Sequence, residues 1–316
     1  MPAKSRKKER WVVLIPCLNE IGAIKKVITD FKKEIPEAEI IVFDNGSTDG
    51  TPQAAEKLGA RVLYEKRRGK GYVVQAMFQR VDADIYIMVD GDDTYPAERV
   101  RSLIEPVIND EADMAIGSRM TSSSRSQFQL LNRLGNIFFL RLINILFHAH
   151  LTDILSGYRA MNRRIVKGLP LFEKGFAIEA ELTMKSLERG YRLVDVPVDL
   201  RQRSQDSQSK IKLFSDGMRI LATVLALFRD YKPLTFFGLI GLFFMLLGLV
   251  PGFRSIIGFW QTGMVQYFPS AILAVGLELT GLLSIAAGLI LHTIDRRFNE
   301  LEHFIQVVGD RSHSGE

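Results

Sequence analysis

Apolar positions between residues 11 and 117 form short continuous runs separated by segments with helical spacing. The continuous runs have the length and composition of buried strands and lie at 11–15, 39–43, 61–64, 85–89 and 112–117. The segments between them predict helices around 24–31, 52–58 and 72–80. Strands that alternate with helices in this way predict an α/β, Rossmann-like fold, with a mostly parallel sheet and helices on both faces.

The pattern changes after residue 120. Residues 127–150 mix apolar positions with arginines, which predicts an amphipathic helix in a lipid headgroup layer or a core helix whose arginines extend to solvent. A further helix is predicted to begin at 176–181, with Glu179 and Glu181 as candidate orienting groups. Residues 201–210 are polar and basic, and we favour a phosphate-binding loop there over a plain linker. Residues 211–232 predict a juxtamembrane helix.

Two long segments near the C-terminus have almost no charge. Residues 233–253 carry none, and residues 268–293 carry only Glu278 and His292. A helix of about 20 residues spans roughly 30 Å, the hydrocarbon thickness of a bilayer. We therefore predict two transmembrane helices within 233–297, joined by a short external loop, over the alternative of two buried helices in a core. Their glycines offer close-approach faces that permit a homo-oligomer.

Charge sets the expected orientation. The chain has a formal net charge of +5, a basic tail at residues 1–10 and basic residues on both outer flanks of the predicted spans. The positive-inside rule then predicts a multi-pass membrane protein with a cytoplasmic domain at 11–210 and both termini cytoplasmic, including a tail at 298–316. The single cysteine, Cys17, excludes an intramolecular disulfide and provides no zinc-binding pattern.

Polar residues follow three of the predicted strands. Asn19, Asp44 and Asp90 each come where a strand ends, and ligands of parallel sheets bind at the carboxyl ends of the strands. Asp44 opens a turn rich in Gly, Ser and Thr, so it can accept hydrogen bonds from a base or ribose, or simply cap that turn. These residues predict a ligand site at one edge of the sheet.

Candidate metal ligands come next along the chain. Asp90 and Asp92 lie two residues apart after an apolar strand, and two carboxylates with diphosphate oxygens suit Mg²⁺ or Mn²⁺. An ordinary acidic turn is the alternative. Asp93 is placed to add negative charge or to bind the sugar. Lys70 lies between two glycines and can neutralise a phosphate, or be a solvated lysine, but its spacing is not that of a P-loop.

The ordered set of these motifs resembles the family 2 glycosyltransferases with the GT-A fold. It is most similar to the polyprenyl-phosphate glycosyltransferases, such as dolichyl-phosphate mannose and glucose synthases. The resemblance covers roughly residues 11–230 and rests on Pro16 with Asn19-Glu20, Asp44-Asn-Gly-Ser-Thr-Asp-Gly-Thr51, Gly69-Lys-Gly71, the DXD-type Asp90-Gly-Asp92 and Ser156-Gly-Tyr-Arg159. Asp93-Thr-Tyr-Pro96 departs from the family pattern, which leaves the sugar and base open.

The resemblance implies a role for each matching residue. It implies metal binding by Asp90 and Asp92, and an inverting transfer of sugar from a nucleotide sugar to a polyprenyl phosphate. Asp92, Arg133 and Asp153 are the expected catalytic residues, with Asp153 orienting the acceptor. The nucleotide sugar would be held by Pro16, Asn19, Glu20, Asp44, Ser47, Lys70, Asp90 and Asp93, and the acceptor phosphate by Arg119, Arg133, Arg201 and Lys210.

Other functions fit less well. The donor is expected to be a UDP-hexose or UDP-N-acetylhexosamine, with GDP-mannose as the alternative. A processive synthase is disfavoured because no Gln-x-x-Arg-Trp motif occurs and two spans are too few for a channel. A non-catalytic membrane adaptor stays a weaker alternative, since the acidic pair is intact. Nucleic-acid binding is not expected, because the basic residues belong to no recognisable module.

Overall fold

The computed structural model divides the chain into two compact units, Met1–Val224 and Leu225–Glu316. It describes residues 9–119, 140–141, 143–145, 147, 149–175, 177–201, 222, 225–226, 228–264 and 266–313.

The first unit is built on a mixed sheet. Among its described residues the sheet has seven strands in the order β3-β2-β1-β4-β6-β5-β7. The pairs β1–β2, β2–β3, β1–β4 and β5–β7 are parallel, whereas β6 is antiparallel to both β4 and β5. The strands are β1 (Trp11–Cys17), β2 (Glu39–Asp44), β3 (Arg61–Tyr64), β4 (Ile85–Met88), β5 (Met114–Ser118), β6 (Arg159–Asn162) and β7 (Leu193–Pro197).

The mostly parallel α/β sheet is confirmed, and the first five strands match the predicted runs. β6 and β7 were not predicted. β6 has only four residues and begins with Arg159, and β7 is a partly exposed edge strand with Asp195 at its centre. Neither has the apolar run that identifies a strand covered on both faces. Both are held in place by their pairing with β5, which sequence periodicity does not report.

Helices cover the sheet and supply much of its core. Alongside a short 3₁₀ turn (Ala97–Arg99) they are α1 (Ile21–Glu34), α2 (Thr51–Lys57), α3 (Lys70–Arg80), α4 (Val100–Ile108), α5 (Arg163–Gly168) and α6 (Ile178–Glu188). The apolar stripe of α1, including Ile24, Ile28 and Phe31, is fully buried in the same core cluster as β1 residues Val13 and Ile15. Each such side chain contributes about 1.5–3 kcal/mol through removal from water.

The second unit contains two long apolar helices, α7 (Pro233–Thr262) and α8 (Phe268–His313). Residues 233–262 and 268–298 reach mean hydropathies of 2.3 and 2.0 and are long enough to cross a membrane. α7 continues through Pro251 and Arg254 beyond the uncharged stretch 233–253, and it ends at Thr262, before Gly263, whose φ is +68°. The expected C-terminal tail is helical as far as His313.

Glycines bring α7 and α8 together. A Cβ atom added at Gly241 would lie 2.6 Å from the carbonyl oxygen of Gly281, so neither position has room for a side chain. Glu278 lies beside Gly248, where an added Cβ would be 3.0 Å from its Oε1. These glycines therefore serve contacts within the helix pair, and association between copies stays a prediction.

We predict that Gly241→Ala weakens the helix pair by about 1–3 kcal/mol, because its new methyl group overlaps both the carbonyl oxygen of Gly281 and the side chain of Ile285. Unfolding in detergent, followed by Trp260 fluorescence in a Trp11→Phe background, measures the change. Gly238→Ala is the matched control, since an added Cβ there meets nothing within 4 Å. Equal stability of the two variants would contradict the close glycine packing.

Candidate active site

The turns after β1 and β2 are joined by side chain to backbone hydrogen bonds. The Asn19 N–H donates to Ser47 Oγ over 2.8 Å, and the Thr48 N–H donates to Asn19 Oδ1 over 2.8 Å. Asn19 adopts a φ of +53°, in the left-handed region that asparagine tolerates. Pairing of Pro16 with Phe43 in the parallel register aligns the two strand ends. The structure thus brings three of the predicted nucleotide residues, Pro16, Asn19 and Ser47, into one region.

Asp44 fixes the second turn. Its buried carboxylate accepts hydrogen bonds from the N–H groups of Gly46 at 2.8 Å and Ser47 at 3.0 Å. The capped-turn alternative is therefore present in the structure, and contact with a base or ribose stays a prediction. Glu20, also predicted for the nucleotide, donates its backbone N–H to Thr51 Oγ1 at 2.9 Å.

Asp49 is a residue of this region that the sequence interpretation missed. Its carboxylate accepts from the Ile21 N–H at 3.0 Å and from the Thr51 hydroxyl at 2.6 Å. Burial raises the pKa of Asp49, but these hydrogen bonds outweigh it and hold the pKa below its usual range. An anion at the first N–H of α1 satisfies a group that the helix cannot pair internally. The sequence feature that indicates this role is the spacing of Asp49 and Thr51 in Asp49-Gly-Thr51.

The acidic pair follows β4 in a cramped turn. A Cβ atom at Gly91 would lie 2.6 Å from Cys17 Sγ, so the residue between Asp90 and Asp92 must lack a side chain. Asp92 is 6% exposed, and its Oδ1 accepts from the backbone N–H of Thr94 at 3.1 Å and from the Thr94 hydroxyl. The close approach to β1 explains the glycine of the motif.

Lys70, the first residue of α3, lies between two carboxylates. Its Nζ is 2.6 Å from Asp90 Oδ1 and 2.6 Å from Glu179 Oε1. Burial alone would lower the pKa of Lys70, but the charges of Asp90 and Glu179 outweigh it and raise the pKa. Lys70 is therefore a cation beside a predicted metal ligand, and the solvated-lysine alternative is wrong.

The flanking glycines account for this placement. A Cβ atom at Gly69 would lie 2.2 Å from the carbonyl oxygen of Lys174, and one at Gly71 would lie 2.0 Å from that of Glu173. The start of α3 therefore packs directly on the backbone before α6. Glu181 holds the same segment by accepting from the N–H groups of Phe172 and Glu173, so it orients backbone rather than a ligand.

Arg119 and Asp153 form a two-point ion pair. Arg119 Nε lies 2.6 Å from Asp153 Oδ2, and Nη2 lies 3.0 Å from Oδ1. Burial raises the pKa of Asp153, but the charge and hydrogen bonds of Arg119 outweigh it and hold the pKa below its usual range. Asp153 is thus an anion that positions Arg119, and its predicted contact with the acceptor stays a prediction.

The Ser156–Arg159 turn forms a wall beside Asp90. A Cβ atom at Gly157 would lie 2.5 Å from Asp90 Oδ2. The fully buried guanidinium of Arg159 donates to the carbonyl oxygens of Ser156 at 2.8 Å, Ile154 at 2.9 Å and Glu179 at 3.0 Å. Arg159 therefore fastens the turn to the start of α6, a role that sequence reasoning did not find.

Asp93 and Arg201 meet each other in the structure. Arg201 Nη1 lies 2.8 Å from Asp93 Oδ1 and 2.9 Å from Asp30 Oδ2, and Nη2 contacts Glu98. Lys26 also binds Asp93, at 2.8 Å. The predicted roles of Asp93 toward the sugar and of Arg201 toward the acceptor stay predictions. Arg133 and Lys210 lie outside the described residues.

The donor set fits a hard divalent ion that shares its coordination with substrate. Among the described parts of the chain, no group of three or more His, Cys, Asp or Glu residues is arranged to hold a metal. Asp90 and Asp92 supply two carboxylates, with Asp90 27% exposed. Mg²⁺ commonly takes one or two carboxylates and completes its shell with phosphate oxygens and water.

The fold matches that of a solved enzyme structure. Glucosyl-3-phosphoglycerate synthase from Mycobacterium tuberculosis, solved with Mn²⁺, UDP and glucosyl-3-phosphoglycerate, superposes with a TM-score of 0.58. It is 24% identical, and the alignment covers 70% of this chain and 80% of that one. At this identity the likeness shows the fold alone, and it confirms the predicted glycosyltransferase fold.

Sequence comparison shows the family. Residues 12–169 match the model of glycosyl transferase family 2. Glycosyltransferase AglJ of Haloferax volcanii is 33% identical over 230 residues, 72% of this chain and 75% of that protein. The dolichyl-phosphate hexose transferase of the same organism is 33% identical over 208 residues, 66% and 89% of the two chains. The chain therefore belongs to the family 2 glycosyltransferases and is an enzyme.

We predict that Gly91→Ala destabilises the first unit by about 1–3 kcal/mol, because its methyl group overlaps Cys17 Sγ. Cys17→Ala removes that atom, so the double variant should be more stable than the sum of the two single changes indicates. Urea unfolding of all four proteins measures this coupling. Strict additivity would show that the sulfur does not set the position of Gly91.

We also predict that Asp153→Asn costs about 3 kcal/mol of unfolding free energy at neutral pH, because the part-buried Arg119 guanidinium loses its buried counter-ion. The folded pKa of Asp153 is depressed, so its stabilisation is complete above the unfolded value near 3.9 and is lost as pH falls through the folded pKa. Unfolding curves from pH 7 downward measure the difference between wild type and variant. A difference that does not shrink below about pH 4 would contradict the ion pair.

Proposed function

We propose that the enzyme transfers a sugar from a nucleotide sugar to a polyprenyl phosphate, with inversion and with Mg²⁺ or Mn²⁺. The product would be a lipid-phosphate-linked monosaccharide. Relatives named for such lipids support the acceptor: the dolichyl-phosphate hexose transferase above and, at 27% identity over 220 residues, the polyprenol monophosphomannose synthase of Mycolicibacterium smegmatis. That alignment covers 64% of this chain and 81% of the synthase.

The observation that carries the proposal is the grouping of polar residues at neighbouring strand ends. β1 lies between β2 and β4, so the turns holding Asn19, Asp44 and Asp90 follow adjacent parallel strands. A nucleoside on the first two turns would extend its diphosphate toward the third. Asp90 and Asp92 would hold a divalent ion there, and that ion would neutralise the departing diphosphate.

The remaining task is to bring two anions together. The acceptor phosphate is already negative, so its oxygen can attack the anomeric carbon with little need for a general base. Arg119, oriented by Asp153, supplies a fixed guanidinium that offsets the repulsion between phosphate and diphosphate. Lys70 supplies a second cation beside Asp90. Arg133 and Lys210 are proposed to add to the acceptor site from outside the described residues.

A UDP-hexose or UDP-N-acetylhexosamine is our first candidate for the donor. GDP-mannose is the alternative. Two relatives named for mannose support the sugar of this alternative: the polyprenol monophosphomannose synthase and the undecaprenyl-phosphate mannosyltransferase of Micrococcus luteus. Membership of a transferase family disfavours the non-catalytic adaptor.

Membrane anchoring would place the enzyme beside its lipid acceptor. α7 and α8 are apolar enough to span a bilayer. Arg229 and Lys232 precede the first span, and Arg296 and Arg297 lie where the second ends. We therefore propose that the catalytic unit and both termini are cytoplasmic.

We predict that purified enzyme forms a lipid-linked product from one member of a panel of UDP and GDP sugars with polyprenyl phosphate. Asp92→Asn should lower that rate at least about a hundredfold, and EDTA should abolish it, because the diphosphate loses its counter-charge. Asp82→Asn is the control, since its carboxylate is exposed and pairs with Arg163. Transfer that survives both Asp92→Asn and EDTA would rule out the metal role.

A further inference from the structure

The position of Lys70 has no explanation in helix stability. It is the first residue of α3, and a cation at a helix N-terminus opposes the helix dipole. Two glycines with no room for side chains are needed to bring it there. The ammonium is instead stabilised by Asp90 and Glu179, at 2.6 Å from each.

The two carboxylates are not equivalent partners. Glu179 is 3% exposed and lies in the first turn of α6, where the helix dipole favours a negative charge. Asp90 is 27% exposed. Separating Lys70 from Glu179 would leave a buried carboxylate unpaired, which is costly, whereas Asp90 retains contact with solvent. Glu179 is therefore the permanent counter-ion, and Asp90 is the exchangeable one.

The ammonium and a metal ion compete for Asp90. A divalent ion bonded to a carboxylate oxygen at about 2.1 Å would lie within a few ångström of an ammonium on the same oxygen. At that separation two cations repel each other strongly, even at an effective dielectric constant of about 20. Asp90 Oδ1 cannot favourably hold both at once.

We propose that Lys70 is a resident cation that occupies Asp90 while no nucleotide is bound, and that it releases Asp90 when the diphosphate arrives with its divalent ion. Lys70 keeps Glu179 as counter-ion throughout and gains a second anionic partner in the diphosphate. The enzyme then holds free metal weakly and metal–nucleotide tightly. This inference rests on the proposed function, in which Asp90 and Asp92 bind the metal.

Manganese binding without nucleotide tests this proposal. Free Mn²⁺ is measured by electron paramagnetic resonance in titrations of the full chain in detergent. Lys70→Met is expected to tighten Mn²⁺ binding, because the competing cation is gone. Glu179→Gln is expected to weaken Mn²⁺ binding, because Lys70 then has only Asp90 as a partner. General damage to the site would instead weaken Mn²⁺ binding in both variants, which would contradict the proposal.

The double variant Lys70→Met/Glu179→Gln is the decisive protein. It removes one positive and one negative charge, so the net charge of the site is unchanged. Because it also removes the Glu179 carboxylate, no buried carboxylate is left unpaired, and the test remains possible even where Lys70→Met alone does not fold. We expect it to bind Mn²⁺ about tenfold more tightly than wild type, or about 1.4 kcal/mol. Arg163→Met/Asp82→Asn, which removes an exposed ion pair elsewhere, should bind like wild type.

The same titrations with UDP, and with GDP, separate two kinds of failure. Nucleotide should tighten Mn²⁺ binding more in wild type than in the double variant, because only wild type must displace Lys70. Suppose that wild type binds Mn²⁺ in the presence of nucleotide, and that the double variant and wild type bind Mn²⁺ equally well in its absence. Competition by Lys70 is then overturned, and the metal site stands. If no protein binds Mn²⁺ with either nucleotide, the metal role in the proposed function is overturned as well.

Discussion

The candidate site depends on part-buried cations that are held in place by carboxylates of the protein itself. Lys70 lies between Asp90 and Glu179, and Arg119 is bound at two points by Asp153. Removing the partner of a largely buried charge is costly, so each of these two cations lies against a carboxylate. Asp90, Glu179 and Asp153 therefore serve the folded protein, in addition to the roles proposed for the site.

Close backbone contact is the second requirement, and glycine provides it. Gly69 and Gly71 let α3 lie on residues 173–174, and Gly91 lets the acidic turn lie on Cys17. Gly157 makes room for the carboxylate of Asp90. The glycines in these motifs are thus explained by packing distances, which set where the charged residues beside them come to rest.

Expectations from the sequence failed where pairing, rather than periodicity, decides the structure. β6 begins with a buried arginine, and the apolar run of β7 is broken by Asp195. Both form by pairing with neighbouring strands, β6 with β4 and β5 and β7 with β5. Asp49, Arg159 and Glu181 bind backbone groups brought close only by folding. α7 continues past Pro251 and Arg254, and the Arg254 guanidinium lies 4.6 Å from the ring centre of Tyr267.

The sequence by itself determined the α/β class, the first five strands, the two apolar helices and the family, since apolar periodicity and motif order are local properties of the chain. It also placed Asn19, Asp44 and Asp90 at strand ends. Only the tertiary structure decided which charges meet, pairing Lys70 with Glu179 across 109 positions of sequence and Arg119 with Asp153. Coulomb energy falls with distance in space, and separation along the chain does not give that distance.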